Sequence, residues 1–149
     1  MIALGADHGG YRLKEAVKKY LEEKNIEYID YGCYSEESVN YAVYAQKVAN
    51  DVANGKCEKG ILCCGTGIGI SMAANKVKGI RAAVVTNEFC AEMTRRHNDA
   101  NILAMGGRVI DCETAVKLTD IFLNTPFDGG RHAERIAQIA QIENGEQLQ

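Results

Sequence analysis

The chain has 149 residues, enough for one domain with a buried core. Hydrophobic residues make up 46% and charged residues 25%, as in ordinary soluble proteins, and a net charge of -3 without a long basic run speaks against a nucleic-acid partner. No apolar segment approaches the ~20 residues that span a bilayer, and the opening Ile2-Ala3-Leu4-Gly5-Ala6 has no charged leader or cleavage site, so a cytoplasmic protein is expected.

Apolar runs alternate with helical patterns along the chain. Ile2 to Ala6 reads as a short buried strand. Leu13, Val17 and Leu21 recur at helical spacing among Lys and Glu, which predicts an amphipathic helix. Ile26 to Tyr31 reads as a second strand, and Gly32 to Asn40 as a polar loop. A helix over Tyr41 to Ala53 ends near Asn54-Gly55. Lys59 to Cys64 is the third strand; it runs into a glycine-rich turn, and Ile70 to Lys76 continues as a helix. Ile80 to Thr86 is a strand, Glu88 to His97 a helix, Ile102 to Met105 a strand and Cys112 to Leu123 a helix. Beyond Pro126 and Gly129-Gly130 a last helix covers roughly Arg131 to Ile142, and a polar tail from about residue 143 is expected to fray. The last helix has a modest apolar face (Ala133, Ile136, Ala137, Ala140) that could pack on its own domain or on a partner subunit.

Strands alternating with helices predict a single α/β domain over residues 1–149, with a five-stranded parallel sheet and helices on both faces. Ligands of such sheets bind outside the carboxyl ends of the strands. That rim would carry the loop Asp7-His8-Gly9-Gly10, the loop before Tyr41, the glycine turn and the Thr86-Asn87 turn.

The glycine turn reads Cys63-Cys64-Gly65-Thr66-Gly67-Ile68-Gly69. It does not fit a dinucleotide fingerprint, because Ile70 or Met72 stands where the third glycine belongs, and no Gly-Lys-Ser/Thr of a nucleotide loop follows. Ile70 also replaces the arginine that a cysteine phosphatase loop needs. What remains is a concavity of backbone N–H groups from Gly65 to Gly69 at a helix N-terminus, suited to a phosphate or a reaction oxyanion. A thiol at that mouth has its thiolate favoured, which points to Cys64 as a base or nucleophile. Strand alternation turns Cys63 the other way, into the core. The chain has six cysteines in all, with no C-x-x-C pair and no zinc-site spacing, so reduced thiols and no metal or organic cofactor are expected.

Other polar clusters join this turn. Asp7 and His8 stand on the rim, although Asp7 could simply cap a helix. Arg95 and Arg96 close a helix, where cations are stabilising in any case. His97 beside them is one of only three histidines, a residue type suited to acid–base work. Arg131 and Arg135 share one face of the last helix, a pair suited to a phosphate monoester. The set suits proton transfer on a small phosphorylated substrate.

Five stretches, Asp7-His8-Gly9-Gly10, Cys64 to Gly69, Ala73-Ala74-Asn75-Lys76, His97-Asn98-Asp99-Ala100-Asn101 and Gly129-Gly130-Arg131-His132, occur in this order in the ribose-5-phosphate isomerase B family, which the chain resembles from Ile2 to about Glu143. The resemblance implies a Rossmann-like fold without a nucleotide, and interconversion of D-ribose 5-phosphate and D-ribulose 5-phosphate through an enediolate. It also implies homodimers or homotetramers whose active sites draw on two subunits. Carried over by position, Cys64 is the base that moves a proton between C1 and C2, and Gly65, Thr66, Gly67, Ile68 and Gly69 hold the enediolate. His97 opens the furanose ring. Asp7, His8 and Asn98 contact the substrate, Arg108, Arg131 and Arg135 lie near the phosphate, and Tyr41 lines the pocket. Two departures stand out. Asn40-Tyr41-Ala42 replaces the family's usual acidic residue, Tyr and Pro, and the glutamate that some members carry one turn beyond the cysteine falls here at Ala73 or Ala74. The alternatives are a hexose 6-phosphate isomerase acting on allose or galactose 6-phosphate, a non-catalytic sugar-phosphate sensor and, most remote, a thiol redox protein.

Overall fold

The computed structural model describes all 149 residues. Five strands and six helices follow in the order β1 (Ile2–Ala6), α1 (Tyr11–Glu23), β2 (Tyr28–Asp30), α2 (Tyr41–Ala53), β3 (Lys59–Cys64), α3 (Ile68–Ala74), β4 (Ala82–Val84), α4 (Glu88–Asn98), β5 (Ile102–Gly106), α5 (Cys112–Asn124) and α6 (Arg131–Glu143). All strand pairs are parallel, in the order β2-β1-β3-β5-β4. No helix is long and apolar enough to cross a membrane.

Period-two alternation sorts the strands between two cores. Ile2, Leu4, Ile61, Cys63, Leu103 and Met105 pack with Leu13, Val17 and Leu21 of α1 and Leu118 and Phe122 of α5. Ala3, Leu62, Cys64, Ile102 and Ala104 face the other way, onto Val48 and Val52 of α2 and Ile70 and Ala74 of α3. The central strands are thus buried on both faces, as a parallel sheet requires. Cys63 and Cys64 separate as alternation demands, one into each core.

Three boundaries differ from the sequence expectation. The strands expected over Ile26 to Tyr31 and Ile80 to Thr86 shorten to Tyr28–Asp30 and Ala82–Val84, because both lie at sheet edges and pair on one side only. The helix after the glycine turn begins earlier, at Ile68, and stops at Ala74. Asn75 ends it by clamping the backbone of the edge strand: its Oδ1 accepts from the Ala82 N–H (2.8 Å) and its Nδ2 donates to the Ala82 carbonyl (2.9 Å). Asn101 does the same next door, accepting from the Arg81 N–H at 2.8 Å and donating to the Gly79 carbonyl at 2.9 Å.

Lys14 lies outside the apolar stripe of α1 yet is only 1% exposed. Its ammonium sits 2.7 and 2.9 Å from the two Asp30 oxygens and 3.1 Å from Glu15, and lies over the rings of Tyr11 and Tyr34. Breaking one half of a buried pair leaves the other charge unpaired. Lys14→Met is therefore expected to lower unfolding free energy by about 3 kcal/mol or more, read as a fall in urea midpoint at unchanged slope.

The last helix does not sink into its own domain. None of its residues is fully buried, and Ile139 and Ile142 are 48% and 59% exposed. It is tied down at its ends instead. Arg96 pairs with Asp128 just before α6, and the Glu143 carboxylate accepts from the Gly79 N–H at 3.0 and 3.1 Å. Glu143 is thus an anchor, and the next three backbone N–H groups bond back to α6 carbonyls.

Candidate active site

Three loops meet at the carboxyl end of the central strands. The Asp7 N–H donates to the Cys63 carbonyl (3.1 Å), the Gly107 N–H to the Cys64 carbonyl (2.8 Å) and the Arg108 N–H to the Gly65 carbonyl (2.9 Å). These bonds continue the ladder that pairs Cys64 with Gly106 and bring Asp7, Cys64, Gly65 and Arg108 onto one rim. Gly67 turns the chain there at φ +81, and a Cβ on it would lie 2.9 Å from the Met105 backbone. At Gly69 a Cβ would strike the Tyr41 ring at 2.7 Å, so Tyr41 lies against the turn.

Within the turn, Cys64 is 5% exposed and its sulfur accepts from the Gly67 N–H at 3.0 Å. The Thr66 hydroxyl oxygen accepts from the Ile68 N–H at 3.2 Å. Two of the five expected cradle donors are therefore spent inside the turn. The N–H groups of Gly65, Thr66 and Gly69 have no acceptor in the chain and remain to bind an anion. Burial pushes the Cys63 thiol far up, which keeps it a neutral core group.

On the same rim, the Asp7 Oδ1 accepts from the N–H groups of Gly9 (2.9 Å) and Gly10 (3.2 Å). These bonds close a turn before α1 rather than cap it, since the Gly10 N-cap has no side-chain partner, and the Asp7 Oδ2 is left for a ligand. The His8 Nδ1 accepts from the Val39 N–H at 3.2 Å, so the neutral ring carries its proton on Nε2. Arg108 is exposed beside Gly65.

His97, Asn98, Arg131 and Arg135 are not on this rim. A helix that follows a parallel strand runs back against it, so α4 ends where β5 begins. Ile102 opens β5, beside Gly60, and Cys64 pairs with Gly106 at its other end. Four strand steps at ~3.3 Å put the two ends about 13 Å apart. The start of α6 stays at the His97 end, because the Asp128 N–H donates to the Arg96 carbonyl at 3.0 Å. Within one chain the expected constellation is split in two.

The second group has its own order. The rings of His97 and His132 stack at 4.2 Å between centroids and 9° between planes. Desolvation, then the charges of His97, Arg131 and Arg135, hold the His132 imidazole below its usual range. Asp128 completes a cluster with the two histidines. Asp128 was not picked out from sequence, and His132 stood only within the Gly129-Gly130-Arg131-His132 motif without a role, since no local spacing links either to His97. Arg95 and Arg96 fill the structural roles allowed for them: Arg95 is 7% exposed, bonded to Asp99 and the Ala100 carbonyl, and Arg96 pairs with Glu92 and Asp128. A cavity of about 590 Å³ between α3, β4, α4 and α6 takes in Asn98 and Arg81 but not Cys64.

The relatives agree with this architecture. A family model described as Ribose/Galactose Isomerase matches residues 2–139. Ribose-5-phosphate isomerase B of Escherichia coli is 46% identical over 142 residues, covering 95% of each chain. The structure of ribose-5-phosphate isomerase B from Clostridium thermocellum superposes with a TM-score of 0.95 at 51% identity, covering 97% of both chains. That of the Mycoplasma genitalium enzyme with bound ribulose-5-phosphate superposes at 0.92 with 39% identity, covering 96% of this chain and 95% of that one. A match that takes in nearly every element, from β1 into α6, makes this chain a member of the ribose/galactose isomerase family.

Proposed function

We propose that the chain interconverts D-ribose 5-phosphate and D-ribulose 5-phosphate, in the cytoplasm and without a cofactor, at a site shared between two copies. The observation that carries this reading is the Cys64 sulfur, bonded to the Gly67 N–H and flanked by the free N–H groups of Gly65, Thr66 and Gly69. Isomerisation removes the C2 proton of the open-chain aldose, which puts negative charge on the C1 oxygen. Cys64 takes the proton and the free N–H groups receive the charge where it develops. A proton then passes from the C2 hydroxyl to the C1 oxygen, which moves the charge to the C2 oxygen, and return of the carbon-bound proton to C1 gives the ketose. The reverse runs by the same groups.

The cyclic sugar must open first. A proton leaves the C1 hydroxyl and another reaches the ring oxygen, and His97 serves this step from the partner's α4–α6 end, with Asn98 beside it. Arg131 and Arg135 come with it and, with Arg108 and His8 of the first copy, hold the phosphate. Phosphate binding far from C1 and C2 helps to position them. The surface near the glycine turn suits such a partner: Tyr41, Val43, Ile68 and Met72 are 43%, 48%, 49% and 62% exposed.

Turnover of ribose 5-phosphate against allose 6-phosphate, in the absence of added metal, tests the substrate. Preference for the pentose by kcat/KM is the expected result, and preference for the hexose would move the substrate while keeping the chemistry. His97→Asn tests the ring-opening role. It is expected to lower the rate on ribose 5-phosphate about 100-fold and to spare a tetrose 4-phosphate, which cannot close a furanose. Equal losses on both substrates would remove His97 from that step.

A further inference from the structure

We propose that His97, Asp128 and His132 form a binding site for one divalent transition-metal ion of the zinc class, and that the bound ion is a reversible inhibitor. The ligand atoms of the three side chains lie within 4.8 Å of one another. Two imidazoles and a carboxylate are a common zinc donor set with room for a fourth ligand. Tetrahedral zinc needs those atoms about 3.3 Å apart, with bonds of ~2.0–2.2 Å and the ion in the plane of each imidazole, so one of the two stacked rings turns out of the stack when the ion binds. Neither stacked imidazole has a hydrogen-bond partner in the chain, so ring nitrogens are available to a metal. The carboxylate is already aimed: the Arg96 Nε donates to both Asp128 oxygens at 3.2 Å, and the backbone N–H of Asp128 is bonded to the Arg96 carbonyl. Such an outer partner orients a ligand without displacing it.

The choice of ion follows from the surroundings. Arg131 and Arg135 flank His132 and oppose any cation, which weakens hard ions that rely on charge alone. Imidazole nitrogen favours zinc, cobalt, nickel and copper over magnesium and calcium. Inhibition, unlike binding, rests on the proposed function: an ion on His97 occupies the lone pair that ring opening uses.

Co2+ is the probe, titrated into the full chain and followed by calorimetry and visible absorption. One Co2+ per chain, intense tetrahedral d–d bands and no thiolate charge-transfer band are expected, with Mg2+ silent. His132→Ala and Asp128→Asn should each weaken binding about tenfold or more, and Cys64→Ala should leave it unchanged. Unchanged binding in the first two variants, a thiolate band, or no saturable binding would overturn the site. With ribose 5-phosphate, Zn2+ should inhibit wild type, and Asp128→Asn should need about tenfold more Zn2+ for the same fractional inhibition. Binding without that inhibition would retain the site and overturn its regulatory consequence, whereas an inactive wild-type chain would count against the proposed function and not against the site.

Discussion

Cys64→Ala is expected to lower kcat on ribose 5-phosphate by about 1,000-fold or more, within the usual contribution of a positioned general base. The fold should tolerate the change. Cys64 lies at the end of β3 under the glycine turn, and alanine removes only the sulfur and its one N–H contact. Neither the adjacent thiol nor the next helix supplies a substitute. The neighbouring thiol, Cys63, is fully buried on the opposite face of the sheet, and the following helix offers Ala73 and Ala74 where a carboxylate would be needed. Binding of ribulose 5-phosphate, measured by calorimetry, should change only a few-fold, because phosphate and backbone contacts do not involve the sulfur. Near-normal turnover in this variant would sink the assigned chemistry. Lost turnover together with lost binding would instead indicate a collapsed turn.

Two crippled chains mixed together should recover activity. Cys64→Ala lacks the base. His97→Asn combined with Arg131→Ala lacks the ring-opening group and part of the phosphate clamp. Each alone should retain about 1% of wild-type activity or less. In a two-fold dimer each chain lends its glycine turn to one site and its α4–α6 end to the other. A mixed dimer then contains one intact site and one doubly damaged site. With random assortment half of the dimers are mixed, so co-expressed chains should show about a quarter of wild-type turnover. The experiment needs differently tagged copies and a steady-state assay. If both groups came from the same chain, every site in a mixed dimer would lack one component and no activity would return. That result would overturn the shared site, which rests on the strand length between His97 and Cys64.

Much of the local order is readable because it repeats. The β1, α2 and β3 spans coincide with their apolar patterns, since alternation and helical spacing report a residue's immediate environment. Opposite fates for Cys63 and Cys64 follow from the same alternation. The five motifs carried the family, and the glycine pattern by itself excluded nucleotide loops. Edge strands were over-extended, because apolar runs continue past the last residue that has a neighbour to pair with. Two of the motifs also proved to hold structure: Asn75 and Asn101 clamp the β4 edge rather than facing the turn.

The sequence by itself determined the order of the elements and the rim that carries Asp7, His8, Cys64 and Thr66; the place of Arg108 beside Gly65 came from the structure. Only the tertiary structure decided where the rest lies. Burial of Lys14 depends on Asp30 arriving from a different element, and the meeting of His97, Asp128 and His132 on a loop that Arg96 holds. Separation of His97 from Cys64 follows from the direction in which α4 returns along the sheet. Periodicity describes which face of its own element a residue occupies. It carries no information about which end of another element lies nearby, and that is set by long-range packing.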